Sequence, residues 1–94
     1  MSSIKTYIGF ANKSRAVVKG IDDILRTRKR IYLILCTSDV MENSREKIKD
    51  YSIKKEIPIK EIEREILNEL NIGGVKILGI TDKNLACAIT NSIN

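Results

Sequence analysis

Eight of the first 35 residues are basic (Lys5, Lys13, Arg15, Lys19, Arg26, Arg28, Lys29 and Arg30), and only Asp22 and Asp23 oppose them. Residues 36–94 carry nine basic and ten acidic side chains, so the whole formal excess of +5 sits in the first third. Ammonium and guanidinium groups at that density raise the local potential where phosphates dock. The same density also serves as a solubility face, and composition alone does not separate the two. Other chemistry is poorly provided for. The chain has no histidine, which removes the commonest general acid or base and the commonest metal ligand. Cys36 and Cys87 stand far apart and cannot complete a four-ligand zinc site by themselves. Four aromatic residues, Tyr7, Phe10, Tyr32 and Tyr51, are too few for a row of base-stacking platforms.

These side chains must be positioned by a single domain, since 94 residues with 43% hydrophobic content supply one modest core. There is no apolar run long enough to span a bilayer, so no membrane partner is expected. Met1-Ser2-Ser3-Ile4-Lys5 lacks the apolar stretch of a secretory signal, and a disulfide framework is not expected. The cytoplasm is the expected compartment.

The chain alternates helical stripes with short apolar runs. Ile4, Tyr7, Ile8 and Ala11 recur at helical spacing and predict a helix over 3–13. Residues 16–19 read as a short strand closed by Gly20. Ile21, Ile24 and Leu25 mark a second helix to about Arg30, whose terminal cations suit the helix dipole. Residues 31–36 form a continuous apolar run, as expected of a central strand covered on both faces. Asn43 and Glu46 have capping-box spacing and open a third helix to about Lys55. A strand over 58–61, a helix from Ile62 to Leu70 and a strand over 75–80 follow. Asp82 caps a last helix with Leu85, Ala88, Ile89 and Ile93 inward. Strict alternation at this length predicts an α/β fold with one sheet of about four strands between helical layers.

Several smaller features have plain readings. Asp39, just past a central strand, reads as a turn-forming or capping residue rather than a catalytic one. Cys36 and Cys87 are expected to be buried, inert thiols. Gly73-Gly74 leads into a strand, not a helix, and so serves either a close approach or a plain turn.

Four blocks in order resemble a known family. Ile8-Gly9-Phe10-Ala11 resembles the opening "LGLA" of the short bacterial YlxQ-like proteins. Val18-Lys19-Gly20 before a basic amphipathic helix is similar to the family's turn and second helix. Leu33 to Ser44 resembles "LVLLAEDASENT", and Ile80 to Ala86 resembles "ITDxxLA". Those proteins belong to the superfamily of archaeal ribosomal protein L-seven-Ae and eukaryotic ribosomal protein L-thirty-e. The resemblance spans roughly residues 8–89. It implies a three-layer α-β-α sandwich with a mixed sheet that binds structured RNA, often a kink-turn, without catalysis, cofactor or metal. The implied partners are ribosomal or kink-turn-like RNA and ribosomal particles.

The resemblance also implies two contact regions. The turn and second helix, Lys19, Gly20, Ile21, Asp22, Asp23 and Arg26, are those that enter the RNA groove in the family. The loop around Leu70, Asn71, Ile72, Gly73 and Gly74 is the one that covers an extruded nucleotide. Lys13, Arg15, Arg28, Lys29 and Arg30 are expected to add phosphate contacts. One position departs from the pattern. The family's kink-turn readers carry Gly-x-Asn-Glu with a Lys three residues on, whereas this chain has Gly20-Ile21-Asp22-Asp23-Ile24-Leu25-Arg26. Arg26 keeps the cation and Asp23 keeps an acceptor, but Asp22 replaces an amide that also donates. Asp22 and Asp23 are read either as base-donor acceptors or as first-turn acids favouring the helix dipole. A protein-interaction module that kept the fold and lost RNA specificity is the alternative reading.

Overall fold

β2 (Leu33–Thr37) is buried along its whole length, and its side chains divide between two cores. Leu33 and Leu35 join one hydrophobic cluster with Ile8 and Ala11 of α1 (Ile4–Lys13), Leu67 of α4 (Arg64–Glu69), and Ala86 and Ile89 of α5 (Lys83–Ile93). Ile34 and Cys36 join the other with Ile24 of α2 (Ile21–Arg26) and Ile48 of α3 (Glu42–Lys55). The period of two along a strand sends alternate residues to opposite faces, so an unbroken apolar run serves two helical layers. The computed structural model, which describes residues 4–93, is therefore an α/β sandwich with helices on both faces of one sheet.

The four-stranded sheet has the order β1-β4-β2-β3, with β1 at Val17–Lys19, β3 at Ile59–Ile62 and β4 at Ile77–Ile80. β4 runs antiparallel to both β1 and β2, and β3 runs parallel to β2. The run over 31–36 expected to be a central strand is central, as β2 from Leu33 on, and β4 is the other inner strand. Gly79 faces the α2 layer, where an added Cβ would stand 3.0 Å from Ile31 and 3.4 Å from Ile24. The missing side chain lets those isoleucines close onto the sheet.

Leu78 pairs with both Lys19 and Leu35, which fixes the two ends of the sheet. One end gathers the finish of β1 and β2 with the start of β4: Gly20, Thr37 and Lys76. The opposite end gathers Arg15 and the residues leading into β2 and β3, among them Arg30 and Ile57.

Several boundaries differ from the sequence reading. α2 stops at Arg26, because Thr27 turns extended (φ −66, ψ 145) and its hydroxyl accepts the Lys29 N–H at 3.1 Å. Arg28, Lys29 and Arg30 therefore lie beyond the helix, and the helix dipole does not account for them. α3 starts at Glu42 with Met41 as its N-cap and no side-chain cap bond, so Asn43 and Glu46 form no capping box. Asp82 does cap α5, accepting the Leu85 N–H at 3.0 Å. Pro58 precedes β3, and its carbonyl accepts the Ile34 N–H at 2.9 Å. Cys36 is buried, and burial pushes its thiol above the usual range. Cys87 is exposed, which corrects the expectation of two buried thiols: the inward stripe of α5 runs through Ala86 and Ile89 and leaves position 87 on the solvent side.

Candidate nucleic-acid interface

The turn from β1 into α2 is built on Gly20. Its φ of 90° lies in the region that side chains resist, and its N–H donates to the Ile77 carbonyl at 2.9 Å. That bond ties the turn to the start of β4. Gly20 and Ile21 consequently share a shallow groove with Val40, Met41 and Gly74–Ile77. The two segments singled out by the sequence thus meet at one end of the sheet, although only part of each faces the groove.

The second segment is mostly structural. Asn71 adopts a left-handed conformation (φ 61), the Ile72 N–H returns to the Leu67 carbonyl at 2.9 Å, and the Asn71 N–H to Asn68 at 3.1 Å. This pair of bonds is the Schellman helix ending, which brings the residue after the left-handed one back onto the helix. Ile72 is accordingly buried against Leu67 in the first core, and it is not free to cover a nucleotide. Gly73 is a close-approach position, where a Cβ would meet the Asn68 side chain and stand 3.3 Å from the Asn68 Cα. Leu70 is half-buried against the same core. Gly74 is exposed, with open space where a side chain would stand.

Arg64 holds this loop, and nothing in the sequence reading pointed to it. Its Nε and Nη2 donate to the two Asp39 carboxylate oxygens at 3.0 and 3.1 Å, and its Nη1 donates to the Gly73 carbonyl. Nη2 also reaches the fully buried Thr37 hydroxyl at 3.3 Å. The Thr37 hydroxyl in turn donates to Asp39. One guanidinium therefore fastens the β2–α3 turn to the α4–β4 loop through a two-pronged carboxylate contact. Asp39 is a turn residue whose carboxylate is held by Thr37 and Arg64.

The Thr37 hydroxyl and then Arg64 hold the Asp39 carboxyl down at about 2. A depressed carboxylate contributes stability that is complete above its ordinary pKa of 3.8 and is lost as pH falls through about 2. Urea denaturation of the unmodified protein and of Asp39→Asn should therefore differ most above about pH 4, and the gap should close toward about pH 2. A gap that stays constant across that window would show that the Asp39 charge contributes nothing here.

The cations occupy different places. Arg15 sits in a left-handed turn (φ 60) that ends α1, with the Ala16 N–H returning to Ala11 at 2.7 Å. It lines a cleft along the free edge of β1 with Lys19 and Lys29; Val17, Val18 and Thr27 form its walls, and Asp23 is its acid. Asp23 approaches Arg26 at 3.8 Å in a mostly exposed pair, and Arg26 Nε donates to the Asp22 carbonyl at 3.3 Å. Such a pair is weak, so neither charge is cancelled for a ligand. Asp22 and Asp23 are both exposed in the first turn of α2.

Arg28, Lys29 and Arg30 line a further cleft at the opposite end of the sheet from Gly20 and Gly74. Lys29 borders both this cleft and the β1-edge cleft. Lys13 lies apart, in a groove with Lys5, Phe10 and Leu70. The predicted residues are thus not one site. They form an apolar-lipped groove at one end, a basic edge, and a basic cleft at the other end.

No protein-family model matches this chain, and no curated protein matches it. The fold is similar to the solved structure of a protein with unknown function from Bacillus halodurans C, with a TM-score of 0.85 and 19% identity. The likeness covers 99% of this chain and 98% of that one, and at this identity it shows the fold alone.

Proposed function

We propose that this protein binds structured RNA without catalysis, in a ribosomal or ribosome-associated setting, as a relative of the kink-turn-binding ribosomal proteins. The observation that carries the reading is the edge of the sheet. Arg15, Lys19 and Lys29, from three separate elements of the chain, line one cleft that contains a single carboxylate, Asp23. Cations gathered along a strand edge suit a phosphate backbone. The setting rests on the sequence blocks described above. No helix among the described residues is long and apolar enough to cross a membrane. Crosslinking in cells, followed by purification of the protein and sequencing of the attached RNA, tests the proposal. Recovery of discrete folded segments supports it, and recovery of RNA no greater than from a crosslinked control protein contradicts it.

The protein-interaction alternative is favoured by one observation: Asp22 and Asp23 stand exposed at the turn where an RNA reader needs an amide donor. The consequence for recognition is specific. Ionised Asp22 only accepts hydrogen bonds, and a good base contact contributes about 1–3 kcal/mol of discrimination. Binding to a standard kink-turn should be weak, while affinity for folded RNA in general persists. Asp22→Asn should raise kink-turn affinity roughly tenfold and change affinity for an unrelated duplex of equal length far less. Nanomolar kink-turn binding by the unmodified protein would show that this turn reads the motif despite its acids.

A further inference from the structure

The basic cleft at the far end of the sheet contains a cation that the sequence blocks do not touch. Lys55, in the last turn of α3, lines it together with Arg28, Lys29 and Arg30 from the loop before β2. Four cations therefore surround a cleft of about 300 Å³ whose single acid is Glu56. The cleft is built, in that its floor and one cation are fixed. Tyr51 is anchored by packing against the second core, and Tyr32 by packing against the first. The Arg30 guanidinium lies over the Tyr32 ring, 5.3 Å from its centre, a cation–π contact that restrains the side chain.

The position of the cleft matters as much as its charge. Gly20 is level with Cys36 in the strand register, whereas Arg30 lies before Tyr32 at the other end. Four residues from Tyr32, which lines the cleft, to Cys36, at about 3.3 Å each, put roughly 13 Å between the near side of the cleft and the level of Gly20. A ligand in the groove does not fill the cleft.

We infer that Arg28, Lys29, Arg30 and Lys55 form a further RNA site, joined to the β1 edge through Lys29 and distinct from the Gly20–Gly74 groove, that holds phosphodiester backbone without reading bases. The inference rests on the proposal above only in taking RNA as the polyanion. Point cations around an open, polar cleft select for charge density, and backbone contacts position a nucleic acid while leaving its sequence unread. An acidic protein segment would satisfy the charge, but its carboxylates are spaced less regularly than phosphates along a backbone.

The test uses a blunt RNA duplex one helical turn long and a kinked RNA of equal length, each titrated by fluorescence anisotropy. Lys55→Glu should weaken binding of both RNAs by the same factor, about tenfold at about 0.15 M salt. Lys47→Glu makes the same charge change on an exposed part of α3 outside the cleft, and should shift binding less than twofold. Equal effects of the two variants would reduce the cleft to a contribution of net charge and overturn the inference. So would no effect of Lys55→Glu while the unmodified protein binds RNA, an outcome that leaves the proposed function standing. Poly-glutamate displacing the duplex as well as RNA of equal charge would overturn the assignment to RNA. Failure of the unmodified protein to bind either RNA at low salt would remove the proposed function along with it.

Discussion

Replacing Arg28, Lys29 and Arg30 together with alanine should weaken binding to folded RNA roughly 100-fold at about 0.15 M salt. Each phosphate contact contributes close to one unit to the slope of log K against log salt, so three lost contacts flatten it by roughly 2–3. The effect is expected to be this clean because the three side chains are exposed and lie outside any helix. Their removal leaves both cores intact, and the urea midpoint should fall only slightly, from loss of the exposed Arg30–Tyr32 contact. Unchanged affinity would make this run a solubility feature. A lowered affinity with an unaltered slope would mean that the side chains act on shape rather than on phosphates.

Leu35→Ala should destabilise the fold by about 2–5 kcal/mol, a large share of the total stability of a domain this size. Leu35 is fully buried at the centre of β2, where it packs in the cluster that joins α1, α4 and α5 to the sheet. Truncation loses transfer energy and leaves a cavity that a four-stranded sheet cannot easily close. Ile53→Ala on α3 is the comparison, since Ile53 is 67% exposed and its loss should change stability by no more than about 0.5 kcal/mol. Urea midpoints of the two variants separate the cases. A Leu35→Ala protein within about 1 kcal/mol of the unmodified one would contradict the layered packing described here.

What was legible in the sequence, and what was not, follows from which interactions are local. The apolar run over 31–36 signalled a strand buried on both faces, and β2 is that strand from Leu33 on, while Tyr32 before it is only half-buried. Asp82 signalled a cap, because its bond reaches only to Leu85. Three helix ends gave no such signal. Arg15, Glu56 and Asn71 adopt left-handed conformations that glycine usually marks, and here other residues occupy them. The family resemblance places Ile72 in a nucleotide-covering loop, but the ending at Asn71 turns it into the core, and no glycine at 71 announces that turn. The end of α2 was missed because Thr27 stops it with a hydroxyl bond to Lys29, two residues on, and no glycine or proline announces the stop.

The candidate site was legible in kind but not in place. Charge density in the first third identified the cations, but no local pattern says that the chain turns between Arg26 and Arg28 and carries the last three to the far end. Arg64 was invisible for the same reason: its partners Asp39 and Thr37 lie 25 and 27 residues away. Lys55 reads from sequence as a cation suited to a helix C-terminus, and only the fold brings it beside Arg28–Arg30.

The most direct measurement is the affinity of the unmodified protein for a folded ribosomal RNA fragment, titrated across a salt series at constant pH. The account predicts saturable binding at low salt and a linear fall of log K with log salt, with a slope of roughly 3 or more from the cations of the edge and the far cleft. Absence of binding at low salt, or binding indifferent to salt, would contradict it.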